Sequence, residues 1–391
     1  MSVTCFIPYG VYWLLPISRR NFLIGPAVLA ACGRPKAGRV AAYAFIANED
    51  DRSVSVIDLR RFQAIRKISL DAAPTAVLAW PGSNRVFVLT PQNGMLHEID
   101  TVSLAIRRKL RVGGTPIQMR IAEDGSIWFL RRDPHSLVHV KLDSLKIGPV
   151  IPLPAAPFDY DLNGTAAAVS LPDRHGVAIA NLATGRVERT VDIGVAPRVI
   201  RFRPDGRQIL TGNTSARTIA AIDAQTGSVL VHLPVAIQPE RFCFKTNGGE
   251  LFVTGTGRDA VVIVNPYQTE VSETILAGRT PGSMAVSRSP EYLFVANTES
   301  GDITVIDIDT RHVLAQVPVG QEPGTILITA GSQYALVLNR KSGDVAVIRL
   351  SLIGNQRTNK ALGSLAYSHG APLFTLIPVG SKPVAAAIYA L

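Results

Sequence analysis

The chain has 391 residues, 47% of them hydrophobic and only 18% charged, which excludes a disordered polypeptide and leaves ample apolar material for a core. A net charge of +10 favours an anionic partner or surface, which is a statement about steering and not about fold. Three cysteines, Cys5, Cys32 and Cys243, exclude a disulfide framework and a thiolate metal cluster.

The N-terminus reads as an address. Ser18-Arg19-Arg20-Asn21-Phe22-Leu23-Ile24 resembles the twin-arginine export motif, with Ile24 where a lysine is common. The apolar stretch Phe22 to Ala31 is too short to span a bilayer as a helix. It runs into Leu29-Ala30-Ala31-Cys32-Gly33, which resembles a lipobox, with Cys32 as the acylated residue. The expectation is a lipoprotein signal peptide over 1–31, a basic linker over 32–40 and one domain over 41–391. The mature protein would sit on the periplasmic side of the cell envelope, anchored to the membrane by lipid; two or three acyl chains hold firmly where one does not.

From about Tyr43 onward one unit repeats. An Asp or Asn closes an apolar run at Asp58, Asp100, Asp143, Asn181, Asp223, Asn265 and Asp307, at spacings of 38–43 residues, with Arg349 in the last copy. A proline opens the next run at Pro74, Pro116, Pro157, Pro197, Pro239, Pro281, Pro323 and Pro383, spaced by 40–42 except for a final gap of 60. Two independent anchors give eight copies. Within the copy Thr280–Pro323, four short β-branched runs (Ser283–Val286, Tyr292–Ala296, Ile303–Asp307, Val313–Val319) alternate with turn residues, the pattern of four antiparallel strands. Four strands at a fixed period predict propeller blades, hence an all-β, eight-bladed ring.

Each anchor has a mechanical reason. Asp and Asn side chains bond the backbone two residues on and close a turn. Asp124-Gly125, Asp205-Gly206 and Asn247-Gly248 suit hairpins between first and second strands. The Gly-x-x-Pro crossings at Gly194, Gly278, Gly320 and Gly380 predict glycine at a positive φ before a strand-opening proline. The chain begins with second, third and fourth strands (Ala42–Asn48, Val54–Asp58, Ile65–Leu70) and ends on a first strand, Pro383–Ala390. The last strand should therefore complete the first blade, three strands plus one, and leave no loose edge. An insertion at about 351–372 falls between the third and fourth strands of the last complete blade and reads as a surface excursion or a docking element.

Function must lie where the copies differ. Loops joining second to third strands should share a face with the crossings between blades, and six of the eight carry a base: Arg52, Arg131 (with Arg132), Arg174, Arg217, Arg258 and Arg340 (with Lys341). Arg198, Arg279 and Lys382 on the crossings would join them. Such a ring would focus potential on an anion; it would equally serve as ordinary solvated turns. His135 and His175, with Asp133 and Asp173, lie on matching loops of neighbouring blades and are the candidate divalent-metal ligands. No nucleophile elbow, zinc-protease motif or phosphate loop occurs, and no residue is singled out as a haem ligand. No cofactor is indicated, nor are the aromatic platforms that single-stranded nucleic acid would want. Trp80 and Trp128 fall on strands and are expected between blades, and Cys243 is expected in the core.

The run Phe294-Val295-Ala296-Asn297, then Val305-Ile306-Asp307, then Val319-Gly320-x-x-Pro323 resembles the YVTN family of β-propeller repeats, akin to WD40-like repeats. The resemblance covers about 41–391 and is looser over 110–190. It implies an exported or surface protein of bacteria or archaea; members often have seven blades, so eight copies depart from the pattern. Related propellers include the heavy chain of methylamine dehydrogenase, a DNA-binding periplasmic propeller and lactonases. The reading that follows is a tethered, monomeric binding scaffold, not an enzyme, that takes a protein or an anionic ligand on its arginine-bearing face. The alternative is a redox (quinoprotein- or haem-related) or lactonase-like propeller, or a subunit of one, with its site in the central channel.

Overall fold

The computed structural model describes residues 40–80, 82–353 and 371–391. The segment expected to be a signal peptide, Cys32, the expected linker up to residue 39 and most of the insertion lie outside the described residues.

Thirty-two strands form eight four-stranded antiparallel sheets, one per blade. Blade 1 holds β1 (Ala42–Asn48), β2 (Ser53–Asp58), β3 (Gln63–Ser69) and the last strand of the chain, β32 (Pro383–Ala390). β32 runs antiparallel to β1 from Ala42↔Ala390 to Asn48↔Pro383, so the ring closes three plus one. The outer strand of this blade starts two residues before its expected position, at Gln63, and stops at Ser69.

The first strands of the other blades are β4 (Ala76–Ala79), β8 (Pro116–Ile121), β12 (Tyr160–Asn163), β16 (Ile200–Phe202), β20 (Gln238–Phe244), β24 (Pro281–Val286) and β28 (Pro323–Ile328). Most neighbouring first strands, with β32, pack against one another and ring the axis, while the fourth strands form the exposed rim. Second and third strands are buried along almost their whole length, as in β2, because a neighbouring blade covers each face of the sheet.

The core is accordingly divided into eight apolar clusters, one at each interface between blades. Phe294 and Val305 meet Val337 and Ile348 between blades 7 and 8. Ile46 and Ile57 meet Leu338 and Val347 across the closing seam between blades 8 and 1. Cys243 is buried between blades 6 and 7, Trp128 between blades 3 and 4, and Trp80 packs between blades 2 and 3.

The polar anchors behave as local chemistry requires. Asp223 Oδ1 accepts the amides of Gln225 and Thr226 at 3.0 and 2.7 Å, and Asp307 accepts those of Asp309 and Thr310 at 3.1 and 2.9 Å. Asn181 and Asn265 do the same. Gly125, Gly206 and Gly248 all have positive φ in their hairpins.

The crossing glycines correct the sequence expectation. Gly194 has φ +70°, but at the other three crossings the positive φ falls on the residue before the proline: Thr280, Glu322 and Lys382. Those glycines are demanded by space. A Cβ on Gly278 would come within 2.6 Å of Asn297 and Ser300, one on Gly320 within 2.5 Å of Asn339, and one on Gly380 within 2.6 Å of Asp51. At these three crossings the buried asparagine that ends the adjoining second strand, Asn297, Asn339 or Asn48, takes up room that a side chain would need.

Candidate functional site

Crossings and second-to-third-strand loops do share one face, because they hydrogen-bond each other. Glu49 N donates to Lys382 O at 2.9 Å, Thr298 N to Thr280 O at 3.0 Å, Arg340 N to Glu322 O at 3.0 Å and Thr115 N to Asp133 O at 2.8 Å.

On that face Arg52, Arg174, Arg217, Arg258 and Arg340 are exposed, and none of them forms an ion pair with a described carboxylate. The acids that could have neutralised them are engaged elsewhere. Asp51 takes Lys67 at 2.6 Å, Asp50 faces Lys382 at 3.7 Å, and Asp259 accepts the Thr280 amide at 2.9 Å. Arg131 differs from the rest: it is half-buried, and its Nε donates to Ser136 Oγ at 2.9 Å. Burial holds its guanidinium below the usual arginine range, and it acts as a brace within blade 3.

His135 and His175 are both exposed on equivalent turns, and their carbonyls accept the amides of Leu153 and Ile193 at 2.9 Å. Among the described residues no three His, Cys, Asp or Glu side chains converge on a point that could hold a metal ion, and these histidines with Asp133 and Asp173 form no such group.

A cleft of about 630 Å³ opens on the same face at the closing seam, lined by Asp50, Glu322, Arg340, Lys341 and Lys382. It is bounded by the crossing from blade 8 into β32, Pro378 to Lys382. Lys382 Nζ lies 3.1 Å from Glu49, and Lys67, with the Ser381 amide, holds the Asp51 carboxyl below its usual range. The Arg340 stem passes over Gly324, where a Cβ would sit 3.3 Å from its Cδ, so this base leans toward the inner strand of blade 8.

A second charged group lies on the first strands around the axis, and the loop-by-loop reading missed it. Asp159, just before β12, and Arg120, on β8, are each 1% exposed, and Arg201, on β16, is also buried. Asp159 Oδ2 takes Arg201 Nη1 at 2.6 Å and the Ile200 amide at 3.2 Å. Its Oδ1 takes the Tyr160 amide at 2.9 Å and lies 3.4 Å from Arg120 Nη2. Arg120 Nη1 is 3.5 Å from Asp161 Oδ1, whose partner oxygen accepts the Phe202 amide at 2.9 Å. Burial pushes Asp159 toward protonation, but Arg201 and Arg120 outweigh it and hold the carboxyl below its usual range. Arg198, exposed at the crossing into blade 5, sets its guanidinium over the Phe158 ring at 4.0 Å. The sequence signal was available: first strands that should read as core carry Arg120, Asp159, Asp161, Arg201 and Arg241, whereas those of blades 7, 8, 1 and 2 carry small or apolar residues. The first strands around the axis, with Asp159 just before β12, thus carry charge on one half of the ring and apolar and hydroxyl groups on the other.

The chain matches no protein-family model and no curated protein sequence. Its structure is similar to that of dihydro-heme d1 dehydrogenase NirN in complex with DHE, with a TM-score of 0.72 at 16% identity, covering 93% of this chain and 78% of that one. AztD from Citrobacter koseri matches with a TM-score of 0.65 at 14% identity over 90% of this chain and 98% of that one. Kuenenia stuttgartiensis hydrazine synthase matches with a TM-score of 0.54 at 16% identity over 82% and 99%. At such identities the likeness is one of fold, and the chain is an eight-bladed β-propeller.

Proposed function

We propose that this propeller is a binding scaffold that takes an anionic ligand, or an acidic partner protein, on its arginine-bearing face. The observation that carries this reading is the row of exposed bases on one face, Arg52, Arg174, Arg217, Arg258 and Arg340, with no carboxylate partner among the described residues. Guanidinium groups with free donors match carboxylate and phosphate oxygens in pairs. Replacing Arg174, Arg217 and Arg258 together with glutamine should shorten retention on a phosphocellulose column at low salt. Unchanged retention refutes the reading.

The repeat motif supports a place among YVTN-type propellers, and the N-terminal motifs support export by the twin-arginine route and acylation at Cys32. In that setting the protein works at the periplasmic face of a membrane. Cys32→Ala should release it into the soluble fraction, and retention on membranes through a high-salt wash would count against the anchor.

One observation favours a second reading, a redox propeller with its site in the channel: the structural match over 93% of the chain is to a dehydrogenase of dihydro-heme d1. An absorbance scan and metal analysis of protein purified from its native membranes separate the two. A visible chromophore or stoichiometric metal favours the second.

A further inference from the structure

Blades 7 and 8 build their second-to-third-strand loops on the same frame. Asn297 and Asn339 each donate from Nδ2 to Asp302 and Asp344, five residues on, at 2.6 Å. Thr298 N and Arg340 N donate to the crossing carbonyls of Thr280 and Glu322, both at 3.0 Å. Glu299 N and Lys341 N donate to those of Arg279 and Gln321 at 3.3 and 3.2 Å. Ser300 Oγ and Ser342 Oγ accept the amides of Arg279 and Gln321 at 3.1 and 3.2 Å, and Gly301 and Gly343 close the turns at φ +71° and +72°. Between the shared asparagine and serine only the two middle residues change, from Thr298-Glu299 to Arg340-Lys341. The fold makes this loop equally well without a base, so the paired bases of blade 8 answer to something other than the loop.

Both bases are exposed and line the cleft of about 630 Å³ at the closing seam, and neither forms an ion pair with a described carboxylate. The acids of the blade 1 loop are already held: Glu49 and Asp50 lie 3.1 and 3.7 Å from Lys382, and Asp51 lies 2.6 Å from Lys67. Glu322 lines the same cleft, is exposed, and likewise has no ion pair among the described residues. Its carbonyl accepts the Arg340 amide, so this free acid and the first free base come off adjoining backbone. The frame beneath is tight. The amides of Val379 and Gly380 donate to Gly343 O at 3.1 and 3.4 Å, and a Cβ on Gly380 would come within 2.6 Å of Asp51. A preset frame of this kind lowers the ordering cost of binding. The cleft is much larger than a lone oxyanion. Apart from Pro378, Val379 and two glycines its lining is polar, unlike the mostly apolar pockets that enclose small molecules. A polar surface with arginine at its edge suits a polypeptide segment.

We infer that the seam cleft docks an extended segment of a partner protein that carries two neighbouring acidic residues and a basic one. Its carboxylates pair with Arg340 and Lys341 through charge-assisted hydrogen bonds, and its basic residue faces Glu322. This rests on the anion-binding reading of the face and names the place and the partner. Glu322 turns away a uniformly acidic segment by like-charge repulsion, so what is recognised is a pattern of charge and not its amount.

The test is isothermal titration of the full chain at low ionic strength with the capped peptides GKGEEG and GAGEEG and, separately, inorganic phosphate. Saturable binding of one GKGEEG per chain is expected. Arg340→Thr with Lys341→Glu gives blade 8 the pair that blade 7 carries and should weaken binding about tenfold or more, the range of a charge-assisted hydrogen bond. Blade 7 folds with that pair on the same frame, so the double variant should melt like wild type. Lys341→Gln, at an exposed residue, is the second variant and should also weaken binding. Arg186→Gln, on the exposed outer strand of blade 4, should leave it unchanged. The wild type should prefer GKGEEG to GAGEEG by about two- to fivefold, and Glu322→Gln should abolish that preference. If GKGEEG does not bind, or if its binding survives both the double variant and Lys341→Gln, the inference is overturned. Phosphate binding in place of the peptides would reveal a lone-oxyanion site and overturn it as well. A preference that persists in Glu322→Gln would overturn the role of that residue. The phosphocellulose retention of the Arg174, Arg217 and Arg258 variant is measured independently. Loss of retention without peptide binding sinks only the cleft, and peptide binding without loss of retention sinks only the outlying face.

Discussion

Asp159 offers the most exacting check on the channel wall. Its carboxylate satisfies two guanidinium groups and two backbone amides in a site from which water is excluded. Asp159→Ala removes the carboxylate that Arg201 and Arg120 share, and breaking a buried pair in this way costs about 3–5 kcal/mol. The orphaned amides of Tyr160 and Ile200 would add roughly 1–3 kcal/mol each were they independent, but groups sharing one partner are not additive. A loss of about 4–5 kcal/mol is therefore expected from equilibrium denaturation in urea at pH 7.5, a large part of the ~5–15 kcal/mol that holds an ordinary domain. Asp159→Asn keeps an acceptor but turns an amide donor toward a cation, and should fall between wild type and alanine. The triple change Arg120→Met, Asp159→Leu and Arg201→Met removes both Asp159 ion pairs and leaves Asp161, which is partly exposed, on the Phe202 amide. It should land within about 1–2 kcal/mol of wild type, because apolar groups of similar volume replace buried ion pairs at little cost. The pH dependence has a definite sign. The folded carboxyl is held below its unfolded value, so its contribution is present above about pH 4 and fades as pH falls through the folded value. The gap between wild type and Asp159→Ala should narrow in acid. A loss below about 1 kcal/mol for Asp159→Ala at pH 7.5 would mean that the wall is wet and the charges are solvated, and the reasoning would fail.

Two further outcomes follow from the fold. Deleting Lys382–Leu391 removes β32, its ladder with β1 and the Lys382–Glu49 pair, so the ring should lose cooperativity as a whole, with a lower melting temperature and general loss of amide protection; a truncation that melts like wild type would show that closure is dispensable. His97 is wholly buried, with Nε2 3.1 Å from Thr90 Oγ1 and Nδ1 without a partner, and burial, helped by Lys109 and opposed by Asp71, keeps its pKa below the usual histidine value. The unfolded chain takes up a proton as pH falls through about 6.5 and the folded one does not, so stability should drop by up to ~1.4 kcal/mol per pH unit below that point. His97→Gln should flatten the change between pH 7.5 and 5.5, and an unaltered slope would assign the dependence to other groups.

The blades were legible in the sequence because their punctuation is local. Asp223 and Asp307 bond amides two and three residues away, and such a bond forms whatever the rest of the chain does. Repeat period, strand order and even the three-plus-one closure follow from counting these turns. The loop bases were legible too, since an arginine in a turn stays exposed. The glycines were misread at Gly278, Gly320 and Gly380 because their reason is a neighbour and not a dihedral angle: Gly380 gives way to Asp51, which is 329 residues distant in the chain. The same holds for the channel wall. Arg201 and Asp159 stand 42 residues apart, one repeat, and nothing local links them. Only the ring sets first strand against first strand, and so only the tertiary structure decided that charge gathers on one half of the ring.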